Sequence, residues 1–200
     1  MVSFRSVLTS AFASALVLVS ASALASDWDI DAAHTHVGFG VKHMMISTVH
    51  GSFKTFTGTV ALNDGDVTQS KIHLEIDAAS ITTDNDKRDE HLRSPDFFDA
   101  AHFPKLVFDS TSIQKTGPNA LTVTGNLTIK TVTKPVVLTV TGLTGEAKDP
   151  WGGTHRGATA TAKISRKDFG LTWNKTLETG GALVGDDVTL ELDVDLAKKK

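Results

Sequence analysis

Apolar and polar positions alternate with a period of two along most of the chain. Val37, Phe39 and Val41 alternate with Gly38, Gly40 and Lys42, and Phe56, Gly58, Val60 and Leu62 form the next set. Ile72, Leu74 and Ile76 follow, then Leu106 and Phe108, then Leu121, Val123, Gly125, Leu127 and Ile129. Val136, Leu138 and Val140, then Ala158, Ala160, Ala162 and Ile164, then Val188 to Leu196 complete the series. Successive side chains of a strand point to opposite faces, so this period predicts strands with one buried and one wet face. The many Thr and Val residues suit a pleated surface. Asn63-Asp64-Gly65-Asp66, Thr116-Gly117-Pro118-Asn119 and Gly185-Asp186-Asp187 read as compact turns between strands. Asp149 to Gly153 and Glu178 to Gly181 read as longer loops.

Two segments break the alternation. Val41 to Val49 predicts a short helix, and Asp86 to Ala101 predicts a helical turn followed by an irregular stretch. Roughly eight strands on short links favour antiparallel pairing, and closing such a sheet removes its edges. The expected fold is all-β: a closed antiparallel up-and-down barrel of about eight strands with one or two short helices. A barrel of this size is either filled by side chains or holds one small ligand. Small residues on the inward parity, Gly58, Gly125, Ala158, Ala160 and Ala162, argue for space inside. The chain has ten Phe and no Tyr, so its phenyl rings bring no hydroxyls into that space.

The first 25 residues carry a different pattern. Arg5 precedes an apolar run from Ser6 to Ser20, and Ala23-Leu24-Ala25 is a small-x-small cleavage site. This predicts a signal peptide over 1–25, a single domain over 26–200, and export to a periplasm by the general secretory route. The chain has no cysteine, so neither disulfides nor a lipoprotein anchor can form. Its formal charge is -3, which becomes -4 once Arg5 is removed, and this does not point to nucleic acid, which calls for a basic face.

Several blocks, taken in order, resemble one family. They are Trp28-Asp29-Ile30-Asp31, His34-Thr35-His36-Val37, Val49-His50-Gly51-Ser52-Phe53 and Phe56-Thr57-Gly58. The longest is Arg88-Asp89-Glu90-His91-Leu92-Arg93-Ser94-Pro95-Asp96-Phe97-Phe98-Asp99, with Phe103-Pro104 after it. Gly125 to Ile129 with Thr133 to Val136, Ser165 to Leu171 and Gly185 to Val188 complete the order. This pattern resembles the YceI-like family, polyisoprenoid-binding proteins of lipocalin-like fold, and covers nearly the whole domain. The resemblance implies a secreted or periplasmic protein that binds an isoprenoid or similar lipid. The chain departs from the family pattern at Lys130-Thr131-Val132, where a glycine is usual.

Parity nominates Phe39, Phe56, Val60, Ile72, Leu74, Ile76, Phe108, Leu127, Ile129 and Leu138 as lining, with Phe97, Phe98 and Phe103 capping the mouth. A polar or phosphorylated head would want cations at the open end, and Arg88, His91, Arg93, Arg166 and Lys167 are the candidates. The competing reading pairs these cations with Asp89, Asp96, Asp99 or Asp168 to fix local structure. His34 and His36, two apart, are expected to share one strand face, which raises a metal-binding or stress-response module as an alternative. A third reading is an enzyme acting on a bound prenyl lipid. No nucleophile elbow, P-loop, H-E-x-x-H or dinucleotide fingerprint is present, so no catalytic residue is assigned. The only ligand expected is the lipid itself, isoprenoid or quinone-like; membrane contact would be transient, and a homodimer is left open.

Overall fold

A computed structural model describes residues 25–178 and 180–200, so most of the predicted signal peptide lies outside the described residues. The strands are β1 (Ala25–Ile30), β2 (His36–His43), β3 (Ser47–Phe53), β4 (Phe56–Asn63), β5 (Lys71–Asp77) and β6 (Ile81–Thr82). After the helix α1 (Asp86–Arg93) come β7 (Lys105–Gly117), β8 (Ala120–Ile129), β9 (Val132–Thr141), β10 (Ala147–Lys148), β11 (Thr154–Ser165) and β12 (Val184–Lys198).

Three pairs of these strands act as single bent ones. β1 lies against the end of β12, with Trp28 opposite Lys198, while β2 continues along the same edge from Asp193 to Val184. β3 then pairs with β2 and β4 with β1, and β5 pairs with β4 and β6 with β3. Counting each bent pair once and setting aside the two-residue β10, which pairs only with β11, the sheet is a closed eight-stranded antiparallel barrel of up-and-down order, as the alternation predicts. Two of the bends have a local cause in an aspartate side chain. The Asp31 carboxylate accepts the Ala33 N–H at 2.9 Å and turns the chain between β1 and β2. The Asp77 carboxylate accepts the Ala79 N–H at 3.0 Å and starts the 3₁₀ turn between β5 and β6. His34 therefore sits in a turn and does not share a strand face with His36.

Val41 to Val49 is a hairpin, not a helix. Met44 and Met45 both take left-handed backbone conformations, with φ of 53° and 60°, and the Ile46 N–H closes the turn on the His43 carbonyl at 3.0 Å. A helix over this segment is blocked at those two residues. The α1 expectation holds: Asn85 caps it, its side chain accepting the Arg88 N–H at 3.1 Å.

One seam of the barrel is short. β9 and β11 pair only at Thr139 to Thr141 against Thr159 to Thr161. Beyond that point the 3₁₀ turn Arg166–Phe169 covers the wall, with Phe169 and Leu171 buried. The barrel end that holds the start of β1 and the end of β12 is plugged by Trp28, which has no exposed surface. Arg156 and Lys198 each stand 5.3 Å from the centre of its ring, and Glu146 binds Lys198 at 2.8 Å. The opposite end gathers α1, the β2–β3 hairpin and the 171–183 loop.

Candidate ligand-binding cavity

The inward parity of the strands builds one apolar cavity of about 270 Å³. It follows β12 from Val184 through Val188, Leu190, Leu192 and Val194 to Leu196. The thirteen residues from Val184 to Leu196 trace roughly 40 Å of strand at about 3.3 Å per step along the tilted barrel wall, so the space is elongated. Among the described residues, Ser70 and Arg166 are the only polar side chains that touch it. Water inside such a space finds no partners, which favours an apolar guest.

Phe39, Val60, Ile72, Leu74, Ile76, Phe97, Phe98, Phe108, Leu127, Ile129 and Leu138 all line this cavity. Two sequence candidates do not. Phe56 is buried in the main core but lies off the cavity, because it starts β4 directly after the Lys54-Thr55 bend. Phe103 is half-buried outside it, with the Lys130 ammonium 5.9 Å from its ring centre. The sequence reading omitted the β12 residues and Val123, Val136 and Val140, although the same parity would have found them. The small residues act differently from expectation. Side chains built on Gly58 and Gly125 would overlap Ile30 and Phe108, so these glycines are covered by neighbours and add no open space. Ala158 and Ala160 do face the cavity.

At the open end a second space of about 230 Å³ shares Phe39, Val41, Leu92, Phe97 and Val184 with the first. Lys42, His43, Thr83, Arg88, His91 and Trp173 give it a polar side. Of the five predicted head-group cations, Arg88 and His91 stand here. The Arg88 Nε donates to Thr83 Oγ1 at 2.6 Å and one Nη donates to the Thr83 carbonyl at 2.9 Å. Thr83 Oγ1 in turn donates to the buried Asp89 carboxylate, which also accepts from Thr82 Oγ1 and the Thr83 N–H. Burial alone would raise the Asp89 pKa; the Thr83 and Thr82 hydrogen bonds, with Arg93 nearby, outweigh it and hold the pKa below 3.8. His91 Nε2 lies 2.8 Å from Asp96 Oδ2, and its ring meets Trp173 edge-on at 4.7 Å and Phe97 at 5.1 Å.

The other three cations hold the scaffold. Arg93 donates to the Ala79 and Ile81 carbonyls at 2.7 Å each and fixes α1 on β6. Arg166 is 4% exposed and directs its guanidinium at the carbonyls of Gly185, Leu171, Trp173 and Val184 and at Asp186. All its nitrogens have partners, so it pins the 171–185 segment. Burial lowers its pKa and Asp186 opposes that shift, yet a guanidinium stays charged. Lys167 is bound to Asp186 at 2.9 Å on the surface.

His36 is exposed on β2, and exposed His34 pairs with Asp31 at 2.8 Å. Among the described residues, the one set of three donors within 4.8 Å of each other is Asp31, His155 and Asp195, on the outer wall near the plugged end. His155 already has a carboxylate on each nitrogen: Asp195 at 2.7 Å and Asp149 at 3.2 Å. That arrangement is complete as an imidazolium between two anions.

A closed up-and-down barrel with a long apolar bore and a polar mouth defines a class of small-molecule-binding barrels. This chain belongs to the YceI-like domain family, whose sequence model matches residues 28–196. It is 42% identical over 159 residues to a UPF0312 protein of Photorhabdus laumondii, covering 78% of this chain and 82% of that one. The crystal structure of a Campylobacter jejuni YCEI protein superposes with a TM-score of 0.68 at 34% identity, covering 85% of this chain and 96% of that one. A polyisoprenoid binding domain from Saccharophagus degradans shares the fold, with a TM-score of 0.63 at 14% identity over 86% of this chain and 98% of that one.

Proposed function

We propose that this protein is an exported, periplasmic binding or carrier protein for a long-chain isoprenoid or similar amphiphilic lipid. The observation that carries the reading is the bore itself: it runs along β12 from Val184 to Leu196 and, among the described residues, meets only two polar side chains. Each buried CH₂ contributes about 0.8 kcal/mol, so a twenty-carbon chain gains roughly 16 kcal/mol gross before ordering costs. Binding on this basis requires no catalytic group. The Arg88 and His91 mouth suits a polar head left at the surface. The Saccharophagus domain, described as polyisoprenoid binding, supports the ligand class. The leader pattern around Arg5 and Ala23-Leu24-Ala25 supports export.

The test is native mass spectrometry and lipid extraction of protein purified from its own host, with thermal melting in the presence of farnesol. A co-purifying prenyl lipid and a raised melting temperature are expected. Protein that arrives empty and gains nothing from prenyl compounds would overturn the reading.

A further inference from the structure

The β2–β3 hairpin ends in three consecutive apolar residues that the described residues leave exposed. Met44 is 38% exposed, Met45 69% and Ile46 79%. The backbone makes this choice of residues costly twice over. A turn with two successive positive φ values ordinarily takes Asn-Gly or Asp-Gly, which are both soluble and unstrained there. Met44 and Met45 are neither, yet both hold left-handed conformations. An exposed apolar tip on a strained turn points to a partner that receives it.

The tip belongs to the mouth. The Met44 N–H donates to the Leu183 carbonyl at 2.8 Å, and the next residue, Val184, lines both spaces. Lys42 and His43, at the foot of the same turn, line the outer space. The charge around it has one sign along the chain. No Asp or Glu occurs between Asp31 and Asp64, whereas Lys42, Lys54 and four His do, in a chain of formal charge -3. Across the turn, Lys175 accepts the Leu183 N–H on its carbonyl, and Glu178 follows in that loop. The carboxylates at this end lie on other segments: Asp84, Asp86, Glu90 and Asp96 in and after α1, with Asp96 on His91, and Asp186 and Asp187 after Val184, paired with Lys167 and Lys163.

We infer that Met44, Met45 and Ile46 are a membrane-docking tip and that the occupant is an anionic lipid bilayer. Insertion of the tip buries the apolar side chains among acyl chains while Lys42 meets head groups. The mouth then faces the lipid surface, and a prenyl chain passes from bilayer to bore without crossing water. A second copy is a poorer fit, because three residues fall well short of the roughly 800 Å² per partner that a stable dimer buries. Exposed Trp151 stands alone in the β10–β11 loop at the plugged end, away from any entrance.

This inference rests on the lipid-binding reading, and one experiment separates the two. The full domain is floated with vesicles of phosphatidylethanolamine and phosphatidylglycerol, and with phosphatidylcholine alone. Its partner is the Met44→Asn/Met45→Gly/Ile46→Ser variant, whose turn relaxes the backbone and should fold at least as well. Wild type is expected to float with the anionic vesicles. The variant should partition about tenfold less while keeping its full thermal shift with farnesol. Wild type that stays unbound, or a variant that floats equally, overturns the docking tip. Concentration-dependent self-association lost in the variant, without vesicle binding, assigns the tip to a second copy and also overturns it. Docking that persists in a protein with no farnesol shift and no extracted lipid would instead remove the carrier reading and leave the tip standing.

Discussion

The Phe108 ring lies across Gly125 of the neighbouring strand, filling the place where any larger residue would put its Cβ. This contact sets the width of the bore at mid-height, because a displaced ring has nowhere to go but the lumen. Gly125→Ala should therefore cost about 1–3 kcal/mol in chemical denaturation, as over-packing does elsewhere. Ala160 faces the cavity directly. Ala160→Leu grows into free space, so it should leave stability within about 1 kcal/mol while weakening a bound prenyl probe roughly tenfold or more. Equal stability losses in the two variants would show that the bore is not open beside Ala160.

Lys130 occupies the first central position of the tight β8–β9 turn with φ of 55°, where Ile129 pairs with Val132. A glycine is the natural occupant of that geometry. Lys130→Gly relieves about 1–2 kcal/mol of left-handed strain. It also loses the ammonium contact with Phe103, worth roughly 0.5–1 kcal/mol at an exposed site. The net expectation is a gain of about 0.5–1 kcal/mol, read as a higher denaturation midpoint at unchanged slope. Adding Phe103→Leu to both backgrounds should enlarge the glycine's advantage, since the lysine then has no ring to sit on.

The period-two pattern made the barrel and most of the bore readable because parity is local: knowing one strand's wet face gives its dry face. Leu127 and Ile129, or Ile72 through Ile76, could be placed without knowing their neighbours. What the pattern could not carry was anything fixed by pairing between distant segments. Gly125 looked like empty volume until Phe108 was set beside it. Arg166 looked like a head-group ligand until the carbonyls of residues 171–185 folded around it. Met44 and Met45 have ordinary helix preferences, and only the register of β2 on β3 forces them into a turn. His155 carried little signal, since its nearest carboxylate, Asp195, lies 40 residues away along the chain and meets it only through the β11–β12 pairing.

His155 should make stability depend on pH in a defined window. Its pKa is raised above 6.5, first by the hydrogen bond to Asp195, with Asp149 adding to it and burial opposing. A raised pKa means the folded state holds the proton more tightly. The contribution is complete below 6.5 and fades as pH climbs through the folded value. The Asp149 pKa is held below 3.8, chiefly by the Gly153 N–H with Trp151 and His155 assisting. Its contribution is present above 3.8 and fades as pH falls through the folded value. Thermal melting of wild type against His155→Gln should thus differ most between about pH 4 and 6.5 and converge on the alkaline side. A constant difference up to pH 9 would mean that packing, not charge, holds the residue.

Arg88 and His91 make the mouth selective for what a prenyl chain carries at its end. The Arg88 hydrogen bonds to Thr83 involve Nε and one Nη, and the side chain lines the outer space, so part of its fork can meet an anion. Hydrogen bonds to charged groups contribute about 1.5–3 kcal/mol each, which corresponds to at least a tenfold change in affinity. Arg88→Gln should weaken geranylgeranyl pyrophosphate by about that factor and leave geranylgeraniol unchanged. Trp173 reports both titrations, since it packs against His91 at 4.7 Å and Phe97 at 5.3 Å in the mouth itself. Salt should narrow the gap between the two ligands, because it screens the contact with the head and not the burial of the chain. If both ligands weaken alike, Arg88 acts through the Thr83–Asp89 anchor of α1, and the mouth recognises shape rather than charge.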